Sequence, residues 1–206
     1  MYLPPYFRED RPEVLAELMR DFPLAALVSH GEQGLIANHL PLLYDSSEAP
    51  YGVLRGHMAR ANGHWKELTS APDALAIFQG PESYISPSLL ATKRETGKVV
   101  PTWNYAVVHA WGPVTVFDEP DRLREFVSNL TRVHEGKRKE PWAVTDAPED
   151  YIRDLLTRIV GIELKISRIE GKWKVSQNQP ARNAESVATA IGEPMADLIR
   201  SRKSGT

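Results

Sequence analysis

Hydrophobic and polar positions alternate in several short stretches of the chain, which is the pattern of half-buried β-strands. The longest stretch covers residues 99–117, with a bulge or bend expected at Gly112-Pro113. Two shorter strands are predicted on either side of a turn at residues 31–34. Further strands are expected at residues 51–58, at residues 74–78 up to a break at Gly80-Pro81, and in a terminal hairpin that turns at Gly171.

Apolar residues at helical spacing predict helices between these strands. In the first helix, Asp10 is the expected N-cap, Pro12 lies in the first turn, and Phe22-Pro23 ends the helix. Others are predicted at residues 61–68, from Asp118 onward and at residues 151–159, while residues 91–98 are expected to form a mobile loop. Strands joined by short turns, with helices at few positions, indicate a mostly β protein in which helices flank an antiparallel sheet.

Composition adds limits to this picture. The 206 residues are 42% hydrophobic and 25% charged, which is typical of a globular domain. We expect one domain over residues 1–185 and a weakly ordered, C-terminal helical tail over residues 186–206. The formal net charge of −2 argues against a broad basic face for nucleic acid. Without a secretory signal or an apolar stretch of membrane-spanning length, a cytoplasmic location with no membrane partner is predicted.

Several classes of site are disfavoured. The chain has no cysteine, which excludes a thiolate metal site and a cysteine nucleophile. No HExxH or tight HxH spacing supports a metal site, and none is predicted. The histidines that are candidate ligands by residue type are His39, His57, His64 and His109. A GxSxG elbow is absent, as are a GxGxxG and a Walker loop, which disfavours a serine hydrolase and a Rossmann or P-loop nucleotide site.

Residues 56–62, GHMARAN, lie where a strand is expected to lead into a helix. Backbone N–H groups at a helix start can receive an anion, so Arg60 and Lys66 are candidates to bind a terminal phosphate. Ordinary structural roles remain open for each residue type. Asn62 could cap the helix, Arg60 could be a solvated surface side chain, and His57 could be a core histidine.

The segment around residues 101–105 combines aromatic and amide side chains on a predicted strand. Alternation places Thr102 and Asn104 on one face and Trp103 and Tyr105 on the other. A planar heterocycle could lie against an aromatic ring while an amide binds its polar edge. For Trp103 and Tyr105 taken separately, packing into the core is the favoured interpretation, whereas Asn104 in mid-strand is harder to explain in that way.

A third polar segment follows Gly171. Strand alternation would place Lys174 and Ser176 on one face, where they could meet a ligand or a partner subunit. A hairpin end capped by Asn178 is the alternative.

Six segments, in order along nearly the whole chain, resemble the PaiB-like family, which is also called the FMN-binding negative transcriptional regulators. They are MYLPPYF at the start, HLPLL at 39–43, GHMARANGHW at 56–65, FQGPESYISPS at 78–88, VPTWNYAVVHAWG at 100–112 and KVSQNQPAR at 174–182. The resemblance implies an antiparallel FMN-binding split barrel that dimerises and holds flavin in clefts between subunits. Two positions depart from the family pattern: Leu89-Leu90 replaces an expected aromatic pair, and Gly63 replaces an expected proline.

The resemblance also implies roles for individual residues. Arg60, Asn62 and Lys66 would serve the phosphate and ribityl end of FMN, and His39 and His57 would line the same cleft. The residues implied to face the flavin ring, some of them across the dimer interface, are Trp103, Asn104, Lys174, Ser176, Gln177 and Asn178.

Three hypotheses follow for function. The leading one is an FMN-binding homodimer of the PaiB type that regulates transcription indirectly, because no recognition helix or basic stripe indicates direct contact with DNA. The second is a flavin-dependent oxidoreductase that moves electrons between a nicotinamide and a small acceptor, for which no catalytic acid or base is identified. The third is a binding module without a cofactor.

Overall fold

The computed structural model describes residues 1–32, 34–48, 50–71 and 73–203. The described elements are, in chain order, β1 (Arg8–Glu9), α1 (Pro12–Asp21), β2 (Leu24–Gly31), β3 (Gly34–Pro41), β4 (Leu43–Asp45), β5 (Val53–Ala59), α2 (His64–Ser70), β6 (Ala74–Ile85), α3 (Lys93–Thr96), β7 (Thr102–Gly112), β8 (Val114–Phe117), α4 (Pro120–Glu135), α5 (Glu149–Thr157), β9 (Ile159–Lys165), β10 (Arg168–Lys174), α6 (Ala181–Ala190) and α7 (Met195–Lys203). Short 3₁₀ turns lie at Pro5–Phe7, Pro87–Leu89 and Val144–Asp146.

The chain divides into two compact units. The first unit comprises residues 1–22, residues 78–109 and the chain from Glu170 onward, and the second comprises residues 23–77 and 110–169. Boundaries fall within β6, near the end of β7 and near the start of β10, so each of these three strands contributes residues to both units.

The sheet of the first unit has the strand order β1-β10-β7-β6. Helix α1 packs with its apolar stripe inward, burying Leu15, Leu18 and Met19. Gly80 of β6 lies directly beneath the Leu18 side chain, where an added Cβ would meet the leucine methyl at 2.8 Å. The missing side chain therefore lets the helix approach the strand closely.

The second unit contains the hairpin β2–β3 and a four-stranded antiparallel sheet of order β4-β5-β9-β8. In the four-stranded sheet Arg55 pairs with Glu163 and His57 with Gly161. Helices α4 and α5 contribute to a small core with the end of β8, and this core comprises Phe117, Leu123, Phe126, Val144, Ile152 and Leu156.

Several predictions from the sequence are confirmed. Mostly antiparallel sheets with flanking helices form the fold, as expected. Strands β2 and β3 pair antiparallel up to Gly31 and Gly34, on either side of the predicted turn, of which Gln33 lies outside the described residues. The long β run is interrupted at Gly112-Pro113, where β7 ends and β8 begins. Helix α4 begins at Pro120, as the Asp118-Glu119-Pro120 segment predicted.

Other predictions are wrong. Asp10 does not cap α1, because its carboxylate accepts a hydrogen bond from Nε of Arg8 at 2.8 Å and the helix has no side-chain N-cap bond. Residues 91–98 are not purely a loop, since they contain the single helical turn α3.

The predicted break at Gly80-Pro81 does not occur, because β6 continues to Ile85. Strand β2 pairs with β6 over residues 75–77, and Pro81 lies beyond that ladder, so its missing N–H removes no bond to β2.

The predicted terminal hairpin is also absent. Strands β9 and β10 follow each other in sequence, but they belong to different sheets: β9 pairs with β5 and β8, and β10 pairs with β1. Alternation identified both strands, but it could not identify the neighbour of each.

The C-terminal helices contact each other and bury Ala184, Val187 and Ala188 of α6 and Met195 and Ile199 of α7. The predicted domain boundary at residue 185 falls inside α6. The order of the tail in solution stays a prediction. Among the described residues, no helix combines the length and apolar character that crossing a membrane requires.

The bend at Gly112 generates a stability prediction. Around it, Ser167 N donates to Trp111 O at 2.8 Å and Lys165 N donates to Pro113 O at 3.2 Å, and a Cβ at Gly112 would overlap the backbone oxygen of Lys165. Backbone cannot move aside as a side-chain end can, so Gly112→Ala should lower the free energy of unfolding by roughly 1–3 kcal/mol. Urea denaturation measures this.

Gly63→Ala is the matched control, because Gly63 has an ordinary helical φ of −61° and nothing lies within 4 Å of an added Cβ. Its free energy of unfolding should change by no more than about 0.5 kcal/mol. Equal stability of the two variants would contradict the close approach at the bend.

Candidate functional site

A buried polar network lies in the second unit, immediately after β5. The backbone N–H of His64 donates to Oδ1 of Asn62 at 3.1 Å, and Nδ2 of Asn62 donates to Oδ1 of Asn38 at 3.0 Å. Nδ2 of Asn38 then lies 2.8 Å from Nδ1 of His64, and Nε2 of His64 lies 2.9 Å from Oγ of Ser29. Ser29 and His64 are 3% and 2% exposed, so bulk water does not compete for these bonds. We call these four residues the Asn62 network.

The direction of every bond in the Asn62 network follows from its first member. A backbone N–H can only donate, so Asn62 must present its oxygen to His64 and its NH₂ group to Asn38. Asn38 must then accept with its oxygen, which leaves its NH₂ group to donate to Nδ1 of His64. Nδ1 is therefore an acceptor, and the ring proton is on Nε2, which donates to Ser29. His64 is a neutral imidazole of defined tautomer.

This tautomer limits the chemistry of the network. Burial lowers the pKa of His64, with Glu67 opposing the shift, so the environment and the hydrogen bonds both favour the neutral ring. Although Ser29, His64 and Asn38 have the composition of a nucleophilic triad, Nε2 already carries a proton and cannot accept one from Ser29. The network therefore positions the chain around Asn62, which it holds from two sides, and does not activate a nucleophile.

Arg60 is held by the end of α5 and the start of β9. Its Nε donates to Thr157 O at 2.9 Å, its Nη1 to Asp118 at 3.1 Å and its Nη2 to Ile159 O at 3.2 Å. Three of the five guanidinium N–H groups are thus used within the second unit, which leaves two for a ligand. Arg60 is a half-buried structural residue and not the freely solvated side chain considered as the alternative.

The neighbouring Lys66 is exposed, with its ammonium 5.5 Å from the centre of the Trp65 ring. Trp65 in turn donates from Nε1 to Arg60 O at 3.0 Å. The two candidate phosphate ligands therefore belong to one local structure at the start of α2, but only Lys66 has a largely free charged end.

His57 carries a buried nitrogen that is left without a hydrogen bond. It lies on β5 with its ring 6.0 Å from that of Phe126, and its Nδ1 has no hydrogen-bond partner among the described residues. Burial lowers the pKa of His57, so the ring is neutral. An unsatisfied buried nitrogen costs stability and is a common sign of a missing ligand or water. His39, by contrast, is exposed on β3.

In the first unit, β7 separates its aromatic side chains from its amide as alternation predicted. Asn104 is 1% exposed and donates from Nδ2 to Oγ of Ser176 at 2.8 Å. Trp103 is 50% exposed on the other face, with its ring 5.8 Å from that of Tyr84. The favoured interpretation of Trp103 as a core residue is therefore wrong, and the buried residue is the amide next to it.

The residues that follow β10 have partners within the first unit. Lys174 donates to Oγ1 of Thr102 and to the backbone oxygen of Trp103, and burial lowers its pKa, with Lys172 adding to the shift. Gln177 folds back, accepting from Val175 N at 2.7 Å and donating to Trp173 O.

The predicted strand alternation of Lys174 and Ser176 is wrong. Strand β10 ends at Lys174, and Ser176 has a left-handed φ of 67°. Asn178 is exposed in the turn that leads to α6, so no hairpin end is present for it to cap.

The candidate residues thus form two groups, one in each unit. In the second unit, Asn62 is a member of the Asn62 network. In the first unit, the residues that lie beside one another are Trp103, Asn104, Lys174 and Ser176. Sequence reasoning missed Ser29 and Asn38, and it considered His64 only as a metal ligand. Within the described part of the chain, no cluster of three or more metal-ligating side chains exists. The sequence signal that could have indicated the Asn62 network is that Asn62 and His64 are close together in the chain.

Comparison with known proteins decides the family. Residues 1–168 match the model of the family described as "Putative FMN-binding domain". The chain belongs to this PaiB-like FMN-binding family. The match covers most of the chain, including the Asn62 network and β7, and it identifies FMN as the cofactor of the family. The antiparallel split-barrel fold that was predicted is confirmed.

Two relatives and one solved structure illustrate the similarity of this FMN-binding family member. It is 31% identical to the Protease synthase and sporulation protein PAI 2 of Bacillus subtilis, over 87% of this chain and 83% of that protein. It is 33% identical to an uncharacterized protein of Aspergillus fumigatus, over 98% and 97% of the two chains. The FAD and heme binding protein of Mycobacterium smegmatis has a TM-score of 0.61 at 16% identity, over 90% and 80% of the chains, and shares the fold alone.

The Asn62 network generates a prediction about the protonation of His64. In Asn38→Asp, a carboxylate would accept both from Asn62 and from a protonated Nδ1 of His64. The pKa of His64 should therefore rise by about one unit or more, since a nearby negative charge favours the imidazolium. Long-range ¹H–¹⁵N NMR of the imidazole through a pH titration measures both tautomer and pKa.

Asn38→Leu is the control, because it removes the hydrogen bond without adding charge and should leave the pKa of His64 low. If His64 titrates alike in the wild type and in Asn38→Asp, the deduced direction of the hydrogen bonds is wrong.

Proposed function

We propose that the protein is a cytoplasmic, FMN-binding homodimer that acts as an indirect transcriptional regulator of the PaiB type. The family match supplies the cofactor, and the name of the Bacillus relative links that protein to protease synthase and sporulation. The structural observation that supports the proposal most directly is the buried Nδ1 of His57, which has no hydrogen-bond partner in the described part of the chain and lies in the same unit as Arg60 and Lys66.

The side chains present fit FMN in charge and hydrogen-bonding capacity. A phosphate needs cationic donors, which the ammonium of Lys66 and the two remaining N–H groups of Arg60 supply. Ribityl hydroxyls can donate and accept, as a neutral imidazole such as His57 also can. In the first unit, the exposed ring of Trp103 offers an apolar surface suited to a flat heterocycle.

An indirect mode of regulation agrees with the distribution of charge. Arginines in both units are paired with carboxylates of the same chain, which reduces the positive charge available to DNA phosphates. These pairs include Arg8–Asp10, Arg55–Asp45, Arg60–Asp118, Arg122–Glu163, Arg124–Glu149, Arg158–Asp154, Arg182–Glu95 and Arg200–Glu193.

The experiment that tests the proposal combines three measurements on freshly purified protein. We expect a flavin absorbance band with FMN identified by mass in the released ligand, a dimer mass by light scattering, and no shift of promoter DNA in a gel at low salt. A colourless protein would contradict flavin binding if added FMN neither quenched its intrinsic fluorescence nor raised its free energy of unfolding. A ligand that binds the folded state must raise that free energy.

An oxidoreductase is the second candidate. Bound FMN supplies hydride and single-electron chemistry, and the protein tunes and shields it. A cavity in front of Trp103 and Tyr105 favours this candidate, because it leaves room for a substrate. Bleaching of the flavin band by NADH or NADPH would support an oxidoreductase, whereas inertness to both would favour the regulator.

The substitution His57→Phe should have opposite effects on the stability of the protein and on its affinity for FMN. Phenylalanine removes the unsatisfied nitrogen and keeps an aromatic ring against Phe126, so the free energy of unfolding without FMN should rise by about 1 kcal/mol. The same change removes a ligand contact and should weaken FMN binding roughly tenfold, as fluorescence titration would measure. His134→Gln, at an exposed position of α4, should change neither quantity. FMN affinity unaltered by His57→Phe would exclude His57 from the site.

The two cationic candidates should also behave differently from each other. Arg60→Ala breaks three bonds within the unit, so it should lower the free energy of unfolding and also weaken FMN binding by roughly 1–3 kcal/mol. Lys66→Ala should weaken FMN binding with almost no effect on unfolding, because Lys66 is exposed. Titration calorimetry and urea denaturation of both variants measure this, and full FMN affinity in Lys66→Ala would remove Lys66 from the phosphate role.

A further inference from the structure

Asn62 and Gly63 form the one Asn-Gly dipeptide of the chain. Gly63 is exposed, and apart from its neighbours in the chain nothing lies within 4 Å of a Cβ added to it. A glycine after asparagine leaves its backbone nitrogen unshielded, because it has no side chain. Within the described ranges the N–H of Gly63 has no hydrogen-bond acceptor, so no bond must break before this nitrogen can react.

The hydrogen bond from His64 to Asn62 favours attack by that nitrogen on the Asn62 side chain. It joins the backbone N–H of His64 to Oδ1 of Asn62 at 3.1 Å. The bond closes a small ring that contains both Cγ of Asn62 and the backbone nitrogen of Gly63, so the two atoms stay close together. The same N–H points at the oxygen that becomes negative when Cγ is attacked, and a fixed donor stabilises such an oxyanion.

We propose that Asn62 is a site of spontaneous deamidation through a succinimide. The backbone nitrogen of Gly63 loses its proton to hydroxide and forms a bond to Cγ of Asn62. The bond from Cγ to Nδ2 breaks, and the nitrogen leaves as ammonia after it takes a proton from water. Solvent water then opens the five-membered ring at either of its carbonyl groups, which gives aspartate or isoaspartate at position 62.

The aspartate product would reverse the Asn62 network. A carboxylate has only acceptor oxygens, and one of them would replace the Nδ2 donor that now meets Oδ1 of Asn38 at 3.0 Å. Asn38 must then rotate its carboxamide to donate to the carboxylate, which turns its oxygen toward Nδ1 of His64. Nδ1 must carry a proton in that arrangement. In the neutral ring Nε2 then becomes an acceptor, and Ser29 donates to it.

The first experiment incubates the full-length protein in warm, mildly alkaline ¹⁸O-labelled water and maps its peptides by mass spectrometry. Only deamidation that occurs during the incubation incorporates the label. We expect labelling at position 62 to be at least tenfold faster than at Asn129 or Asn178, which are exposed but precede larger residues. Isoaspartate should form together with aspartate, because only a succinimide opens in two ways. Labelled aspartate without isoaspartate, or no preference for position 62, would overturn the proposal.

Two variants of Gly63 test the role of its backbone nitrogen. The φ of Gly63 is −61°, which proline adopts without strain, and proline has no N–H to lose. Gly63→Pro should therefore abolish labelling at position 62, and Gly63→Ala should slow it at least tenfold because the methyl group crowds the nitrogen. Labelling of folded Gly63→Pro at the wild-type rate would overturn the succinimide route. If Gly63→Pro failed to fold, Gly63→Ala and the isoaspartate of the wild type would still decide.

Asn62→Asp tests the consequence for the network directly. Long-range ¹H–¹⁵N NMR should place the ring proton of His64 on Nε2 in the wild type and should show a protonated Nδ1 in Asn62→Asp. Asn129→Asp adds the same charge at an exposed position of α4 and should leave His64 as in the wild type. An unprotonated Nδ1 in Asn62→Asp would overturn the reversal. None of these readouts needs FMN, so a failure of flavin binding would leave them unaffected.

Discussion

The hydrogen bond from the backbone N–H of His64 to Asn62 sets the direction of every other bond in the Asn62 network. Because that donor cannot reverse, the amides of Asn62 and Asn38 and the tautomer of His64 each have a single compatible arrangement. The arrangement keeps a buried imidazole neutral and leaves Ser29 without a base. A set of side chains that resembles a hydrolytic site by composition is instead a scaffold for the start of α2.

Burial affects the charged and titratable groups of the two units in different ways. In the second unit it lowers the pKa of His57 and of His64, and Nδ1 of His57 has no hydrogen-bond partner among the described residues. In the first unit the Lys172 ammonium donates to Tyr2 O and lies 5.7 Å and 5.4 Å from the ring centres of Tyr2 and Tyr105. The unsatisfied nitrogen of His57 costs folding free energy.

The predicted and observed environments of particular residues show how much of the structure could be inferred from the sequence. Alternation correctly separated Trp103 and Tyr105 from Thr102 and Asn104, but the inference about which face was buried was wrong for Trp103. Aromatic residues are more often buried than amides, and Asn104 is buried here only because Ser176 satisfies it. Asp10 was predicted as a helix cap by residue type, yet Arg8 two positions earlier takes its carboxylate.

Most strands and helices could be predicted from the sequence, because side-chain periodicity depends on residues near each other in the chain. The family could be recognised from six ordered segments, because each segment is a local run of residues. The folded structure was needed to show which strands are neighbours, that His64 is joined to Ser29 and Asn38, and that Lys172 lies near the Tyr105 ring of β7. These contacts join residues far apart in sequence. Their partners are selected by the register of the sheets and by the burial that folding imposes, and no local pattern records either.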